Sequence, residues 1–320
     1  MSFTIVLPSY GPSPWLKEAV ESVLKQKTNN WHLLIADDGL DETAQDWLRK
    51  KISELQDNRI QWSKRPRNLG LFANLNHAIA EAQTDWIVLL CSDDALRPSA
   101  IEKLEDLQRN WPKAELILSS FESINSDGSL RPDDSSRHHD QLMTKNGLVK
   151  PEEMIPALLR LGSLNGNLTG MAFSKRHWQN VGPFREDWRH AADWEWLIRA
   201  SETKALLLNR EPIAVVRTHG AQLSVQNRNS GHEIVEVGAV VECLLGHEMV
   251  RQEPRRWEWA GHIMQFQLWN LIKGAGQGNW GQWGTGFKAI HKSAGVRQTC
   301  RSLLSWLPSR WETRANQRSS

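Results

Sequence analysis

The chain has 320 residues, 40% of them hydrophobic and 24% charged, enough for one large α/β domain with an appendage or for two domains, and its composition excludes disorder as the main state. A formal charge of +2 is too small to suggest a nucleic-acid partner. Cys91, Cys243 and Cys300 lack zinc-like or CxxC spacing, the first residues lack a basic leader, and no run approaches the roughly 20 apolar residues of a membrane span, so the expectation is a cytoplasmic protein with reduced thiols.

In chain order, Phe3–Leu7 reads as a buried strand. Ser13-Pro14 predicts an N-cap with Pro at the first helical position, opening a helix that places Leu16, Ala19, Val20 and Val23 on one face. His32–Ala36 is a second strand ending at Asp37-Asp38-Gly39, and a helix from Glu42 carries Ala44, Trp47, Leu48, Ile52 and Leu55 at helical period. Ile60–Trp62 is a short strand, Leu71–Ala82 a helix, and Trp86–Leu90 a buried strand that runs into Ser92-Asp93-Asp94. Pro98 is expected to start the next helix, and Glu115–Ser120 to form another strand. Asn125–Gly147 is polar and reads as an exposed loop. Beyond about Val225 long amphipathic helices are expected, one through Ile234–Leu245 and one over Trp259–Ile272. A flexible break at Gly274–Gly281 and a basic, Trp-containing tail follow. Strand–helix alternation in the first half predicts a mostly parallel sheet with helices on both faces. The 17 Trp against a single Tyr read mainly as core or surface-anchoring rings, with a minority free to stack on a substrate.

In such sheets ligands bind beyond the carboxyl ends of the strands, where both acidic pairs fall. Adjacent carboxylates repel unless a cation or hydrogen-bonded ligand offsets them. Asp93-Asp94 suits a hard divalent metal that keeps room for phosphate oxygens, or a solvated turn before the helix at Pro98. Asp37-Asp38-Gly39, with Asp41 and Thr43, suits an Asx-type turn or a carboxylate that accepts from a nucleotide. Asn68, Gly70, Asn74 and Asn76 hold more polar groups near one helix start than local capping requires.

Taken in order, Pro8-Ser9-Tyr10, Asp37-Asp38-Gly39-x-Asp41-x-Thr43, Asn68-x-Gly70-x-x-x-Asn74 and Leu90-x-Ser92-Asp93-Asp94-x-x-x-Pro98 closely resemble the family 2 glycosyltransferases of the GT-A fold. The likeness continues through Gly170, Val181-Gly182-x-Phe184, Asp193-x-Glu195-x-Leu197-x-Arg199 and Val216-Arg217-x-His219. The resemblance implies a Rossmann-like catalytic domain over residues 1–225 and a helical C-terminal region over 226–320. It implies a nucleoside-diphosphate-sugar donor, UDP-sugars being the commonest in the family, and an acceptor that is a glycan or lipid-linked. By position, Pro8, Tyr10 and Asp38 would line the base pocket. Asn68, Gly70 and Asn74 would border the ribose and diphosphate, and Arg217 would contact the diphosphate. Asp94, supported by Asp93 and joined by His219, would hold Mn²⁺ or Mg²⁺. Asp193 would be the catalytic base, taking the acceptor's proton during an inverting displacement. Its alternative is a helix N-cap over Trp194–Ala200. The family often has an acid where this chain has Cys91 and another where it has Ala192.

A nucleotidyltransferase would show an early basic, Gly-rich phosphate loop, and Pro8-Ser9-Tyr10-Gly11-Pro12 is not one. A non-catalytic nucleotide-sugar-binding protein would not need both Asp94 and Asp193. Processive synthases of the family carry Gln-x-x-Arg-Trp, and Gln252-Glu253-Pro254-Arg255-Arg256-Trp257 is one residue too long, which predicts transfer of one sugar at a time. Four readings stay open for the C-terminal region. They are an acceptor site, a homodimer contact, a packed appendage, and a peripheral contact with an anionic membrane through Lys288, Lys292, Arg297, Arg301 and nearby Trp residues.

Overall fold

The computed structural model describes residues 2–131, 137–164 and 168–318. Its elements follow in chain order: β1 (Phe3–Gly11), α1 (Leu16–Leu24), β2 (Trp31–Leu40), α2 (Glu42–Leu55), β3 (Ile60–Lys64), α3 (Leu71–Glu81), β4 (Trp86–Leu89), β5 (Ala95–Leu96) and α4 (Ala100–Asn110). Then come β6 (Leu116–Asn125), α5 (Arg137–Asp140), β7 (Gly147–Val149), α6 (Pro151–Leu161), β8 (Met171–Ser174), α7 (Lys175–Val181), α8 (Ala192–Glu202) and β9 (Leu206–Thr218). The remainder is helical: α9 (Leu223–Ser230), α10 (His232–Gly246), α11 (Glu248–Arg251), α12 (Arg256–Gly276), α13 (Trp283–Lys292) and α14 (Val296–Arg318).

The chain divides into two compact units, residues 1–151 with 164–220, and residues 152–163 with 221–320. The first contains a nine-stranded sheet in the order β3-β2-β1-β4-β8-β6-β9-β5, with β7 also paired to β9. β1 is parallel to both β2 and β4, whereas β8 is antiparallel to its neighbours. The sheet is therefore mixed, with parallel pairing where the sequence predicts it. Successive strands are laid to one side of β1 and then to the other, so the carboxyl ends of β1, β2 and β4 share one edge at a topological switch point. Phe3 through Ser9 are all buried, as a strand covered on both faces must be. Ile5, Leu33, Val88 and Ile117 join Leu16, Val20 and Leu104 in the core.

Several local expectations shift. Ser13 does not cap α1; its carbonyl accepts from the Leu16 N–H at 3.1 Å, a turn that delays the helix by two residues and leaves Trp15 at the cap position. Pro98 lies in a turn before Ser99, and α4 starts at Ala100. In the expected Asn125–Gly147 loop, Arg137–Asp140 is a helical turn, and residues 132–136 lie outside the described residues.

The segment 152–163, read from sequence as part of the first domain, belongs by its contacts to the second unit. In that unit α10 buries Val237, Val241 and Leu244, and α12 buries Met264, Leu268 and Leu271. A Cβ at Gly286 would lie 2.8 Å from Leu271 and 3.0 Å from Ile234, so glycine is what lets α13 approach this closely. The expected break at Gly274 comes later, because α12 continues to Gly276 and the chain turns before Trp283. Among the described residues no helix is long and apolar enough to cross a membrane.

Candidate active site

The first acidic pair lies at the end of β2. Asp37 Oδ1 accepts from the Gly39 and Leu40 N–H groups at 2.9 and 2.7 Å, and its Oδ2 accepts from Trp62 Nε1 at 3.1 Å. Asp38 reaches across to the turn before α3, accepting from Leu69 N–H at 2.7 Å and Gly70 N–H at 2.9 Å. Both side chains are buried. Burial pushes the Asp38 carboxyl above its ordinary value, against the opposing pull of those two N–H groups and Arg65. Asp38 therefore fixes the Asn68–Gly70 turn, where Asn68 Oδ1 also accepts from Gly70 N–H at 2.9 Å. Gly70 has φ +87°, a conformation that favours glycine. Pro8 is buried at the end of β1. Tyr10 is 62% exposed, with its ring edge over Gly39.

Asn74 and Asn76 account for the surplus of polar residues in α3. Asn74 is 1% exposed, accepts from Arg65 Nε at 2.8 Å and donates to the Ala36 carbonyl at 2.8 Å. Asn76 brackets Phe184, accepting from its N–H at 2.9 Å and donating to its carbonyl at 2.8 Å. Asn74 was expected to border the ribose or diphosphate. In the fold its amide makes those two bonds.

The second acidic pair follows β4. Asp94 is 1% exposed. Its Oδ2 accepts from Thr169 Oγ1 at 2.5 Å and its Oδ1 from the Arg217 backbone N–H at 2.8 Å. Asp93 is more open, with its Oδ2 3.0 Å from His219 Nε2. The Arg217 side chain, only 4% exposed, donates from Nε to the Asp93 carbonyl at 3.1 Å and pairs through Nη2 with Glu18 at 2.6 Å. Trp15 closes this corner, its ring 5.2 Å from the Arg217 guanidinium and 4.4 Å from the His219 ring. Arg217, expected to contact a diphosphate, bonds both residues of the Asp93–Asp94 turn in this structure. The expected division of labour between the two acids also meets an exposure that favours Asp93 as the open carboxylate and Asp94 as the anchor. Glu18, Trp15 and Thr169 were missed from sequence, where their only signals were the start of a helix and the neighbourhood of Gly170.

Cys91 Sγ and carboxylate oxygens of Asp93 and Asp94 lie within 4.8 Å of one another. Burial, then the charges of Asp94 and Asp93, push the Cys91 thiol well above its usual range, so it stays protonated when no cation is near. The buried Nδ1 of His219 has no hydrogen-bond partner among the described residues. Two carboxylates beside a neutral thiol make a donor set that fits a divalent cation binding mainly through oxygen, with Mn²⁺ suiting the sulfur better than Mg²⁺.

Asp193 lies in the first turn of α8, half-buried. The N-cap position belongs to Ala191 and not to Asp193, whose Oδ1 accepts from the Trp194 N–H at 2.9 Å. Its charge is the weakest of the three carboxylate charges that raise the Cys91 thiol, after those of Asp94 and Asp93. Glu195 turns away and forks Arg199 at 2.8 and 2.9 Å.

The model of the family described as Glycosyl transferase family 2 matches residues 4–163. WfgD of Escherichia coli, a UDP-Glc:alpha-D-GlcNAc-diphosphoundecaprenol beta-1,3-glucosyltransferase, is 29% identical over 124 residues, 38% of this chain and 47% of that protein. The chain spans 20 to 40% of the length of the first curated relatives it matches. S. aureus TarS 1-349 in complex with UDP-GlcNAc superposes with a TM-score of 0.64 at 13% identity, over 95% of this chain and 84% of that one. The mannosyltransferase PcManGT from Pyrobaculum calidifontis, in complex with GDP-Man and Mn²⁺, gives 0.53 at 13% identity over 94% and 86%. At these identities the likeness to solved structures is one of fold.

Proposed function

This chain belongs to glycosyl transferase family 2 and has a GT-A fold, and from that premise we propose that it moves a single sugar from a nucleoside-diphosphate sugar to an acceptor hydroxyl with inversion. The favoured donor is a UDP-sugar. The acceptor is a glycan or lipid-linked saccharide in cell-surface polysaccharide or glycoconjugate synthesis; the acceptor in the WfgD relative's name, GlcNAc-diphosphoundecaprenol, is lipid-linked. We place the work in the cytoplasm, a reducing compartment that suits the scattered thiols of Cys91, Cys243 and Cys300. The observation that carries this reading is the shared edge at the carboxyl ends of β1, β2 and β4. Tyr10, the Asn68–Gly70 turn held by Asp38, and the Cys91–Asp93–Asp94 cluster all belong to that edge.

Each group then has a task. Tyr10, exposed over Gly39, offers a ring face to a base, and the Asn68–Gly70 turn offers polar groups to the ribose and diphosphate. Asp93 and Asp94, with His219 against Asp93, would hold Mn²⁺ or Mg²⁺. When bound, such an ion offsets the negative charge gathering on the leaving diphosphate. Asp193 accepts the proton of the acceptor hydroxyl as its oxygen attacks the anomeric carbon, and attack opposite the leaving group inverts that centre.

Thermal shift with several nucleoside diphosphates, with and without Mn²⁺, tests the reading, since a ligand that binds only the native state raises its stability. The expected result is a metal-dependent shift with at least one nucleotide, lost in Asp94→Ala and in the more conservative Asp93→Asn. Asp193→Ala should keep the shift and lose sugar transfer. A full shift in both metal-site variants would sink the metal assignment. A normal shift in the unaltered chain with no transfer to any glycan or lipid-linked acceptor would instead favour a nucleotide-sugar-binding protein.

A further inference from the structure

The second unit carries a concave site lined by none of the residues assigned to transfer. Trp257, His291, Gly295, Arg297, Gln298 and Arg301 line a cavity of about 580 Å³. Arg297 and Arg301 are one helical turn apart on α14, both exposed, and neither makes an ion pair or hydrogen bond among the described residues. Glu258, whose charge Arg301 reaches, is itself forked by Arg255 at 2.8 and 3.1 Å. Excess positive charge therefore faces this cavity. The sequence deepens the imbalance, because between Trp259 and Ser320 the only acidic residue is Glu312.

The same unit exposes aromatic rings, one of them, Trp257, in the cavity wall. Trp257 is 48% exposed, Trp280 62% and Phe287 41%. Trp280 packs at a tilt against Trp283, the first residue of α13, with ring centroids 5.7 Å apart. Phe287 lies one turn before His291 on the same face of α13, so the exposed ring leads to the cavity wall. Lys288 and Lys292, also exposed, flank that face. Aromatic rings interleaved with lysines and arginines beside a cationic cavity match an anionic bilayer surface, where rings sit at headgroup depth and cations meet phosphates.

We propose that this face of the second unit docks on an anionic phospholipid bilayer, with the Arg297–Arg301 cavity taking a headgroup phosphate and Trp280 and Phe287 entering the interface. No covalent step is involved, and the idea stands apart from the transfer chemistry. The whole protein, with its tail, is sedimented with phosphatidylcholine vesicles and with vesicles of equal phosphatidylcholine and phosphatidylglycerol. Binding is expected to be strong to the second and weak to the first. Arg297→Glu with Arg301→Glu should weaken it roughly tenfold or more, since each basic residue near an anionic leaflet gives about a fivefold gain. Trp280→Ser with Phe287→Ser should remove the part of binding that survives high salt. Unfolding temperature and nucleotide-dependent shift serve as folding controls for every variant. Equal binding to both vesicle types, or anionic binding indifferent to either pair of substitutions, overturns the proposal. So does stabilisation by inorganic phosphate with no vesicle binding, which would mark a site for free phosphate. A dimer in sedimentation velocity that Trp280→Ser with Phe287→Ser dissociates, again with no vesicle binding, would assign the face to a second copy.

Discussion

Asp37-Asp38 and Asp93-Asp94 are the same dipeptide at the ends of two strands that flank β1, yet the fold uses them differently. The first pair is held mainly by backbone N–H groups, those of Gly39 and Leu40 beside it and those of Leu69 and Gly70, 31 and 32 positions on from Asp38. Its carboxylates stand in for missing partners at a turn. The second pair is held by groups far along the chain, Thr169, Arg217 and His219. There Asp93 keeps partial contact with solvent, side-chain exposure 27%, while Asp94 is sealed. A dipeptide at a strand end thus says that charge must be compensated, and the topology decides whether a turn or a cation does it.

The contrast is most exposed to failure at Arg217. If the second pair depends on distant support, Arg217→Met should cost about 3 kcal/mol in denaturant unfolding, near the lower end for removing one partner of a buried ion pair, because Glu18 can return to water. A loss below about 1 kcal/mol would free the guanidinium to meet a ligand after all. Asn74→Ala sharpens the same contrast at the first pair. Losing its bonds to Arg65 and the Ala36 carbonyl should cost about 2 kcal/mol while nucleotide affinity stays unchanged. A loss of affinity at constant stability would restore its expected place beside the nucleotide. Glu18→Gln should act more gently, about 1 kcal/mol, since half of that carboxylate's surface already faces water. No measurable change would show that Arg217 is held by backbone carbonyls and Trp15 alone.

How far the sequence could be read follows the same divide. Buried strands such as Phe3–Leu7 and Trp86–Leu90 announce themselves by apolar runs, and the turn at Asp37-Asp38-Gly39 by Asx chemistry, because the causes lie within a few residues. Asn74 and Arg217 were visible as unusual polar residues, but what they bond to was not. The partners of Arg217 include Glu18, 199 positions away, and those of Asn76 include Phe184, 108 positions away. A motif places such residues near a ligand; only the packing shows which protein groups they already bond. Thr169, which seals Asp94 from 75 positions away, had no local signal beyond the Gly170 that follows it. The Ser13 cap failed for a local reason instead, since a turn from Ser13 to Leu16 satisfied the first helical N–H before the side chain was needed.

The smallest effect concerns how dry the first corner is. Burial raises the Asp38 carboxyl above 3.8, and the N–H groups of Leu69 and Gly70 do not fully reverse it. The folded state therefore binds this proton more tightly than the unfolded chain does. The stability Asp38 contributes is complete below pH 3.8 and is lost as pH rises through the folded value. Glu81 and Glu115 run the other way. Burial raises each, but Arg65 and Ser63 outweigh it for Glu81, and Arg176 and Lys204 for Glu115. Their contributions are present above 4.5 and vanish as pH falls. Asp38→Asn removes only the first term. Wild-type stability measured against that variant by denaturant unfolding should therefore decline as pH rises from below 3.8 toward neutrality. The opposite slope would mean that the turn's N–H groups outweigh burial. Asp38 would then be a carboxylate held charged by its partners, and the distinction between a corner that consumes its acids and one that presents them would rest on Asp93 alone.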